Sequence, residues 1–276
     1  MKKMEPFNVK VRTFPDASKQ VKIYSKTFIP TAHVPPDRER EPFHRTFAKV
    51  IKERTIEEHF DNVSQESLRR TKSKIYDYAR CNQWEYFVTF TFSKDKVNRY
   101  DYSECTKKLS KWLNNLKSKN KDLKYVVVPE RHKDGAFHFH GLFSGLNQKE
   151  IKYSGRNVIK RVKSENRSKF IKTSQQIFLF SSYKLGWMSA TKVQSQERCC
   201  MYITKYITKD LCSVTFGKKR YWASRNLDVP FEETLYLDAT DRFILKGELT
   251  EEATYHKNLC AQRADFTQYV DIFELS

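Results

Sequence analysis

The stretch VPERHKDGAFHFHGLF, Val128–Phe143, decides how the rest of the chain is read. Side chains alternate across a β-strand, so His138 and His140 share one face while Phe137, Phe139 and Phe143 share the other. The phenylalanine face wants a core. The imidazole pair is not needed to solvate the opposite face, and the chain has only seven histidines in 276 residues. Two imidazoles side by side suit a divalent metal. Buried structural histidines are common, so the pair alone leaves both readings open.

The segment RHKDG turns one strand into the next, and its loop length fixes the hairpin register. A two-residue loop at Asp134-Gly135 sets Glu130 opposite Phe139, facing away from the histidines. A three-residue loop, Lys133–Gly135 with glycine in the left-handed position, sets Glu130 opposite His138, with Cβ atoms about 5 Å apart. The second register makes Glu130 the expected third ligand. His132 shares its strand parity and is the runner-up.

Working outward, WEYFVTFTF (Trp84–Phe92) reads as a strand with Tyr86, Val88, Phe90 and Phe92 on one face and Phe87, Thr89 and Thr91 on the other. Ser103–Ser118 reads as an amphipathic helix on Leu109, Trp112, Leu113 and Leu116. LKYVVVPE is a second strand, giving the order β-α-β-β. Residues 149–172 carry nine Lys/Arg against two Glu and read as a loop, a hairpin or an arm over a phosphate backbone. FLFSSYKLGWMSATKV supplies one or two further strands. Gln196–Leu211, QERCCMYITKYITKDL, reads as a helix with Ser195 as N-cap. On that helix Tyr202 and Tyr206 share a face, and Lys205 and Lys209 run beside them. Alone, such a helix equally describes core tyrosines and solvated lysines. In GKKRYWASR, Lys218, Lys219 and Arg220 interleave with Tyr221 and Trp222, a mixture suited to single-stranded nucleic acid. A strand with Tyr221 or Trp222 buried fits the same letters.

The flanks differ. Residues 1–61 read as an extension: a short hairpin around PDAS, a Pro-rich loop, and the start of a helix over Thr55–Arg80 with a candidate break near Asn62. From Phe231 onward four Lys/Arg face ten Asp/Glu, so 229–276 reads as an acidic tail, and the first 230 residues carry +25. A body this basic implies a polyanion partner. No apolar run approaches the roughly 18 residues of a membrane span, the basic start lacks an apolar segment behind it, and the six cysteines form no C-x-x-C pair. No membrane association, reduced thiols and a cytoplasmic location are the expectation. No Gly-x4-Gly-Lys-Ser/Thr loop occurs, so no nucleotide cofactor is expected.

Together, FVTFTF, then HFH, then YITKYITK resemble the HUH superfamily of single-strand DNA endonucleases, in the order of that superfamily. VPERHKDGAFHFHGLF, the paired Tyr-x-x-Lys and GKKRYWASRNL are similar to the replication initiators of small single-stranded phages and related plasmids or mobile elements, of two-tyrosine type. The resemblance covers roughly residues 62–228. It implies an α+β endonuclease domain, RRM-like or ferredoxin-like, with an antiparallel sheet of about five strands and helices on one side. The His pair would line the open face, crossed by the tyrosine helix. It further implies rolling-circle replication initiation: metal-dependent nicking of a single strand at an origin, a 5′-phosphotyrosine intermediate, and religation. Tyr202, Tyr206 and Lys205 are then catalytic, and His138, His140 and Glu130 hold Mg²⁺ or Mn²⁺. Lys209, Lys218, Lys219, Arg220, Tyr221 and Trp222 contact DNA, while a host helicase and polymerase extend the free 3′-OH. A single-strand transposase of the same superfamily and a non-catalytic nucleic-acid binder are the alternatives.

Overall fold

The computed structural model describes residues 5–29, 56–163, 170–208, 210–211, 215, 217–262 and 267–276. In chain order its elements begin with β1 (Phe7–Thr13), β2 (Lys19–Phe28), α1 (Ile56–Arg80), β3 (Tyr86–Phe92), α2 (Tyr102–Lys119), β4 (Lys124–Arg131), β5 (Phe137–Ser144), β6 (Ile151–Lys163), β7 (Phe170–Phe180) and β8 (Gly186–Lys192). They continue with α3 (Gln196–Thr204), β9 (Trp222–Ala223), β10 (Phe231–Leu235), α4 (Ala239–Glu252), β11 (Tyr255–Gln262) and β12 (Thr267–Leu275). The chain divides into two compact units, Arg54–Asp228 and the pair of segments Met1–Glu53 and Val229–Ser276. Among the described residues no helix is long and apolar enough to cross a membrane.

The larger unit is an α+β structure around one antiparallel sheet of order β6-β7-β8-β3-β5-β4-β9. It has seven strands where about five were expected, because the basic segment after Gln148 forms a long hairpin, β6–β7, instead of a loop. Alternation in β3 is strict: Tyr86, Val88, Phe90 and Phe92 are buried and the residues between them are not. That face is sealed by α2, whose stripe of Leu109, Trp112, Leu113 and Leu116 is buried, with the Trp112 and Phe90 rings 5.1 Å apart. Each such side chain removed from water stabilises by about 1.5–3 kcal/mol. Asp101 caps α2, accepting from the backbone amides of Ser103 and Glu104.

The opposite face carries three rows of directly paired residues. Val126, Leu142, Phe87 and Thr191 form the first row; Val128, His140, Thr89 and Ser189 the second; Glu130, His138, Thr91 and Trp187 the third. Val126, Val128 and Leu142 have no exposed surface, whereas Trp187 is 50 % exposed. This face is therefore roofed at one end, where α3 lies, and open at the other. The helices are consequently not confined to one side of the sheet: α2 covers the aromatic face and α3 part of the histidine face.

Two expected boundaries shift. α1 runs unbroken from Ile56, so position 61 lies inside it. α3 ends at Thr204, short of Leu211. YITKYITK has four β-branched residues in eight, which weakens a helix. The chain tightens there through bonds from the Lys205 amide to the Tyr202 carbonyl and from the Ile207 amide to the Thr204 carbonyl.

The smaller unit corrects the reading of 229–276 as a tail. Those residues supply β10, α4, β11 and β12, which join the N-terminal hairpin in a sheet of order β10-β1-β2-β12-β11. Asn8 fixes the junction by donating to the Leu237 carbonyl (2.8 Å) and accepting from its amide (3.0 Å). The acidic charge pairs locally: Glu232 lies 2.7 Å from Lys10 and 3.0 Å from Arg12. Val9, Val21, Ile23, Leu249 and Phe273 form the core. The Pro-rich segment lies outside the described residues.

Candidate active site

The β4–β5 hairpin has the three-residue loop. The His132 amide bonds the Ala136 carbonyl, Gly135 sits at φ +87°, and Glu130 stands opposite His138. Glu130 nevertheless reaches diagonally to the next histidine on the face: its Oε2 is 2.7 Å from His140 Nε2. This hydrogen bond lowers the Glu130 carboxyl pKa against the opposing effect of burial. His138 has its pKa lowered by burial first, then by the neighbouring histidines. The His132 ring stacks on His138 with centroids 4.8 Å apart.

Both imidazoles are held from behind. Thr89 Oγ1 lies 3.2 Å from His140 Nδ1, and Thr91 Oγ1 lies 3.3 Å from His138 Nδ1. A threonine hydroxyl oxygen that accepts from Nδ1–H leaves Nε2 as the lone-pair nitrogen, the form that binds a metal. The sequence reading put these threonines on the non-core face but gave them no role. Their signal was parity: Thr89 and Thr91 alternate with the buried residues of β3, as His138 and His140 do in β5.

Among the described residues no group of three or more His, Cys, Asp or Glu side chains is gathered so as to hold a metal ion. Glu130 meets His140 directly instead. The donors fit an ion in kind, being two imidazoles with anchored Nδ1 atoms and one carboxylate. The 2.7 Å between Glu130 Oε2 and His140 Nε2 is near the roughly 3 Å between adjacent donors on an octahedral ion with bonds of about 2.1 Å. Binding one requires that hydrogen bond to open.

The end of α3 brings both tyrosines to this face. Tyr206 stacks flat on His140, with centroids 3.7 Å apart and planes 8° apart. Tyr202 packs edge-on against Tyr206 and Phe87, at 5.4 and 5.3 Å. Lys205 Nζ is 3.5 Å from the Tyr202 ring centroid and 5.2 Å from that of Tyr206. The two phenols are not equivalent. Tyr202 is 43 % exposed and Tyr206 7 %. Burial raises the pKa of each. At Tyr202, hydrogen bonds from Lys205 and Tyr206 outweigh burial and bring the phenol below its ordinary value. At Tyr206, burial and the hydrogen bond to Tyr202 act together and raise it.

The remaining expected site residues separate. Lys209 lies outside the described residues. Lys218 donates to Ser103 Oγ (2.9 Å), and Lys219 stays exposed with its Nζ 5.7 Å from the Trp222 ring. Arg220 is a buried structural residue, donating to Thr215 Oγ1 (3.1 Å) and Ser67 Oγ (2.6 Å). Trp222 is 5 % exposed, packs on Phe139 and donates to Ser110 Oγ, so it has no free face for a base. Tyr221 is half-buried beside Tyr78. The expectation of stacking at Trp222 is therefore corrected: the short strand β9 pairs with β4 and turns this indole into the core.

No curated protein and no solved structure matches the chain. The model of one family, described as replication-associated protein ORF2, matches residues 85–211, a little under half of the chain. That segment runs from the start of β3 past the end of α3 and includes Glu130, both histidines, both threonines and both tyrosines. Over it the chain is similar to proteins of DNA replication.

Proposed function

We propose that the protein initiates rolling-circle replication by nicking single-stranded DNA at an origin, with tyrosine as nucleophile. The observation that carries this reading is the unequal tyrosine pair on the histidine face: Tyr202 exposed and hydrogen-bonded by Lys205 and Tyr206, Tyr206 stacked on His140. A phenol with an ordinary pKa near 10 is a weak nucleophile at neutral pH. Lys205 and Tyr206 both stabilise negative charge on the Tyr202 oxygen, which makes Tyr202 the first nucleophile. Its oxygen bonds to phosphorus, the P–O3′ bond breaks, and the leaving 3′-oxygen takes up a proton. The products are a 5′-phosphotyrosine and a free 3′-OH. The ester keeps the bond energy, so the 3′-OH can later reverse the attack and reseal a strand without a nucleotide.

His138, His140 and Glu130 would hold the divalent ion, Mg²⁺ or Mn²⁺, with Thr89 and Thr91 fixing the imidazoles. When bound, the ion polarises the scissile phosphate and neutralises charge that develops on it. Tyr206, buried and protonated, serves as hydrogen-bond donor in the first cut and as the second nucleophile once the strand occupies Tyr202. The free 3′-OH primes a host polymerase. Unwinding falls to a host helicase, since the sequence has no phosphate-binding loop of the usual kind.

The test is an incubation with labelled origin single strand and Mn²⁺, read as a covalent adduct on a denaturing gel. Wild type gives an adduct, Tyr202→Phe slows its formation by about 10²-fold or more, and the double Tyr→Phe variant gives none. Absence of any adduct from wild type across metals would leave a DNA binder without cleavage. A Tyr206→Phe variant that loses every adduct while Tyr202→Phe retains them would reverse the two roles.

A further inference from the structure

The third row on the histidine face ends in a residue that the cleavage chemistry does not use. Glu130, His138, Thr91 and Trp187 are directly paired across β4, β5, β3 and β8, so the four side chains leave the sheet on the same side. Neighbouring strands are about 4.8 Å apart, which puts Trp187 about 10 Å along the row from His138. Trp187 is 50 % exposed, unlike Trp84, Trp112 and Trp222, at 3, 7 and 5 %. Each of those three gives its indole N–H to a partner: the Ala79 carbonyl, Ser182 Oγ and Ser110 Oγ.

Trp187 also has a cation brought to it. The β6–β7 register shifts between Tyr153 and Asn157, where β6 carries extra residues around Gly155 at φ +75°. Such a bulge re-aims the side chains next to it. The Ser154 hydroxyl accepts from the Arg156 amide, and Tyr153 donates to Asn157 Oδ1, which fixes the bulge. From there the Arg156 guanidinium comes within 5.5 Å of the Trp187 ring centroid, although β7 lies between their strands. A half-exposed indole with a guanidinium against it, in line with the histidines, has the composition of a stacking platform for an unpaired base and a contact for its phosphate.

We infer that Trp187 and Arg156 form a nucleotide subsite on which a base of the single strand, next to the nucleotide whose phosphate is cut, stacks on the indole. This rests on the proposed reading of the histidine face as the cutting site, and it assigns the path of the strand: outward along the third row, away from the end roofed by α3. A paired base has no free face to offer, so the subsite takes single strands and not blunt duplex.

Tryptophan fluorescence reports on the subsite directly, because the other three indoles are buried. The probes are a short oligothymidylate and a blunt duplex, added to the full chain without metal so that no cleavage intervenes. The single strand is expected to quench the emission, the duplex to leave it unchanged, and Trp187→Phe to abolish the quench while binding within about threefold of wild type. Trp187→Ala should weaken single-strand binding by about tenfold, the size of one lost stacking contact. Its unfolding midpoint should match that of wild type, since the side chain it removes is half in water. Saturating single strand without a quench, equal quenching by duplex, or Trp187→Ala binding as tightly as wild type would each overturn the proposal. The outcome is independent of nicking: quenching without any covalent adduct would keep the subsite and remove the cutting reaction, and adducts without quenching would do the reverse.

Discussion

Each unit of the molecule holds a carboxylate–imidazole pair on a sheet, and the pairs are built to different ends. In the smaller unit His256 Nε2 is 3.1 Å from Asp271 Oδ1, with the imidazole stacked on Phe273 at 4.4 Å. In the larger unit His140 Nε2 is 2.7 Å from Glu130 Oε2, with the imidazole stacked on Tyr206 at 3.7 Å. What differs is the rest of the carboxylate's surroundings. Asp271 also accepts from Asn258 (2.8 Å) and faces Lys246 Nζ at 2.8 Å, and its side chain is 10 % exposed. Glu130 has no such cation or amide among the described residues, its side chain is 35 % exposed, and a second histidine stands opposite it. A buried carboxylate surrounded by donors stabilises a fold, whereas one left open beside imidazoles and phenols is available to a ligand.

Matched isosteric changes sharpen that contrast. Glu130→Gln keeps the shape of the side chain and removes its charge. Cleavage is expected to fall by about 10²–10³-fold, the loss typical of one electrostatic group at a reacting centre. Single-strand affinity should hold within about twofold, since the basic surface supplies most of it. The midpoint of denaturant unfolding should move little, as the group is partly solvated. A Glu130→Gln protein that unfolds much more easily than wild type, with cleavage reduced only in proportion to the folded fraction, would make the two pairs alike and remove the distinction. Chelation of divalent ions should mimic the substitution in wild type and add nothing to it in the variant.

A smaller effect is expected at Lys205. Its hydrogen bond and charge, with the Tyr206 bond, hold the Tyr202 phenol below its ordinary range despite burial. The ionised fraction at neutral pH falls tenfold for each unit by which that value rises. Lys205→Met should therefore slow cleavage at neutral pH by about tenfold and displace the rising limb of the pH–rate profile toward alkaline pH. Equal slowing at every pH would show that Lys205 only positions the helix end.

Much of the larger unit was legible because its signals are local. The HFH parity, the glycine-closed turn after His132 and the alternation in FVTFTF each depend on residues close in sequence, and together they set Glu130 and His138 face to face. The rest of the row was not legible. Thr91 and Trp187 join it through β3 and β8, which pair with strands far away in the chain, and no spacing in the sequence states that order. Trp222 misled for the same reason: beside lysines it reads as a surface aromatic, and only its packing on Phe139 makes it core. The C-terminal end of α3 failed on propensity, since the i, i+4 pattern of the tyrosines hid four β-branched residues. The smaller unit was invisible as a unit, because its strands come from both ends of the chain and Asn8 meets Leu237 only after folding.

The smallest effect belongs to Asp271. Burial raises its carboxyl pKa, but the hydrogen bonds from Asn258, Lys246 and His256 together overcome burial, and the folded value lies below the ordinary one. A carboxyl with a depressed folded pKa stabilises fully above its unfolded value, near 3.9, and loses that stabilisation as pH falls through the folded value. Asp271→Asn removes the charge and one ionic contact with Lys246 while keeping the side-chain volume. Hydrogen bonds to charged groups contribute about 1.5–3 kcal/mol, and the Lys246 partner is half-exposed, so solvent screening brings the expected loss to about 1 kcal/mol at neutral pH. The sign of the pH dependence is more telling than its size. As pH drops from about 5 toward 3, wild type should lose stability and the variant should lose less, so the two unfolding curves converge from above. Cleavage per folded molecule should be the same in both at every pH. A gap between the two proteins that stays constant down to about pH 3 would mean that the Asp271 charge contributes nothing, and that this pair is held by packing on Phe273 alone.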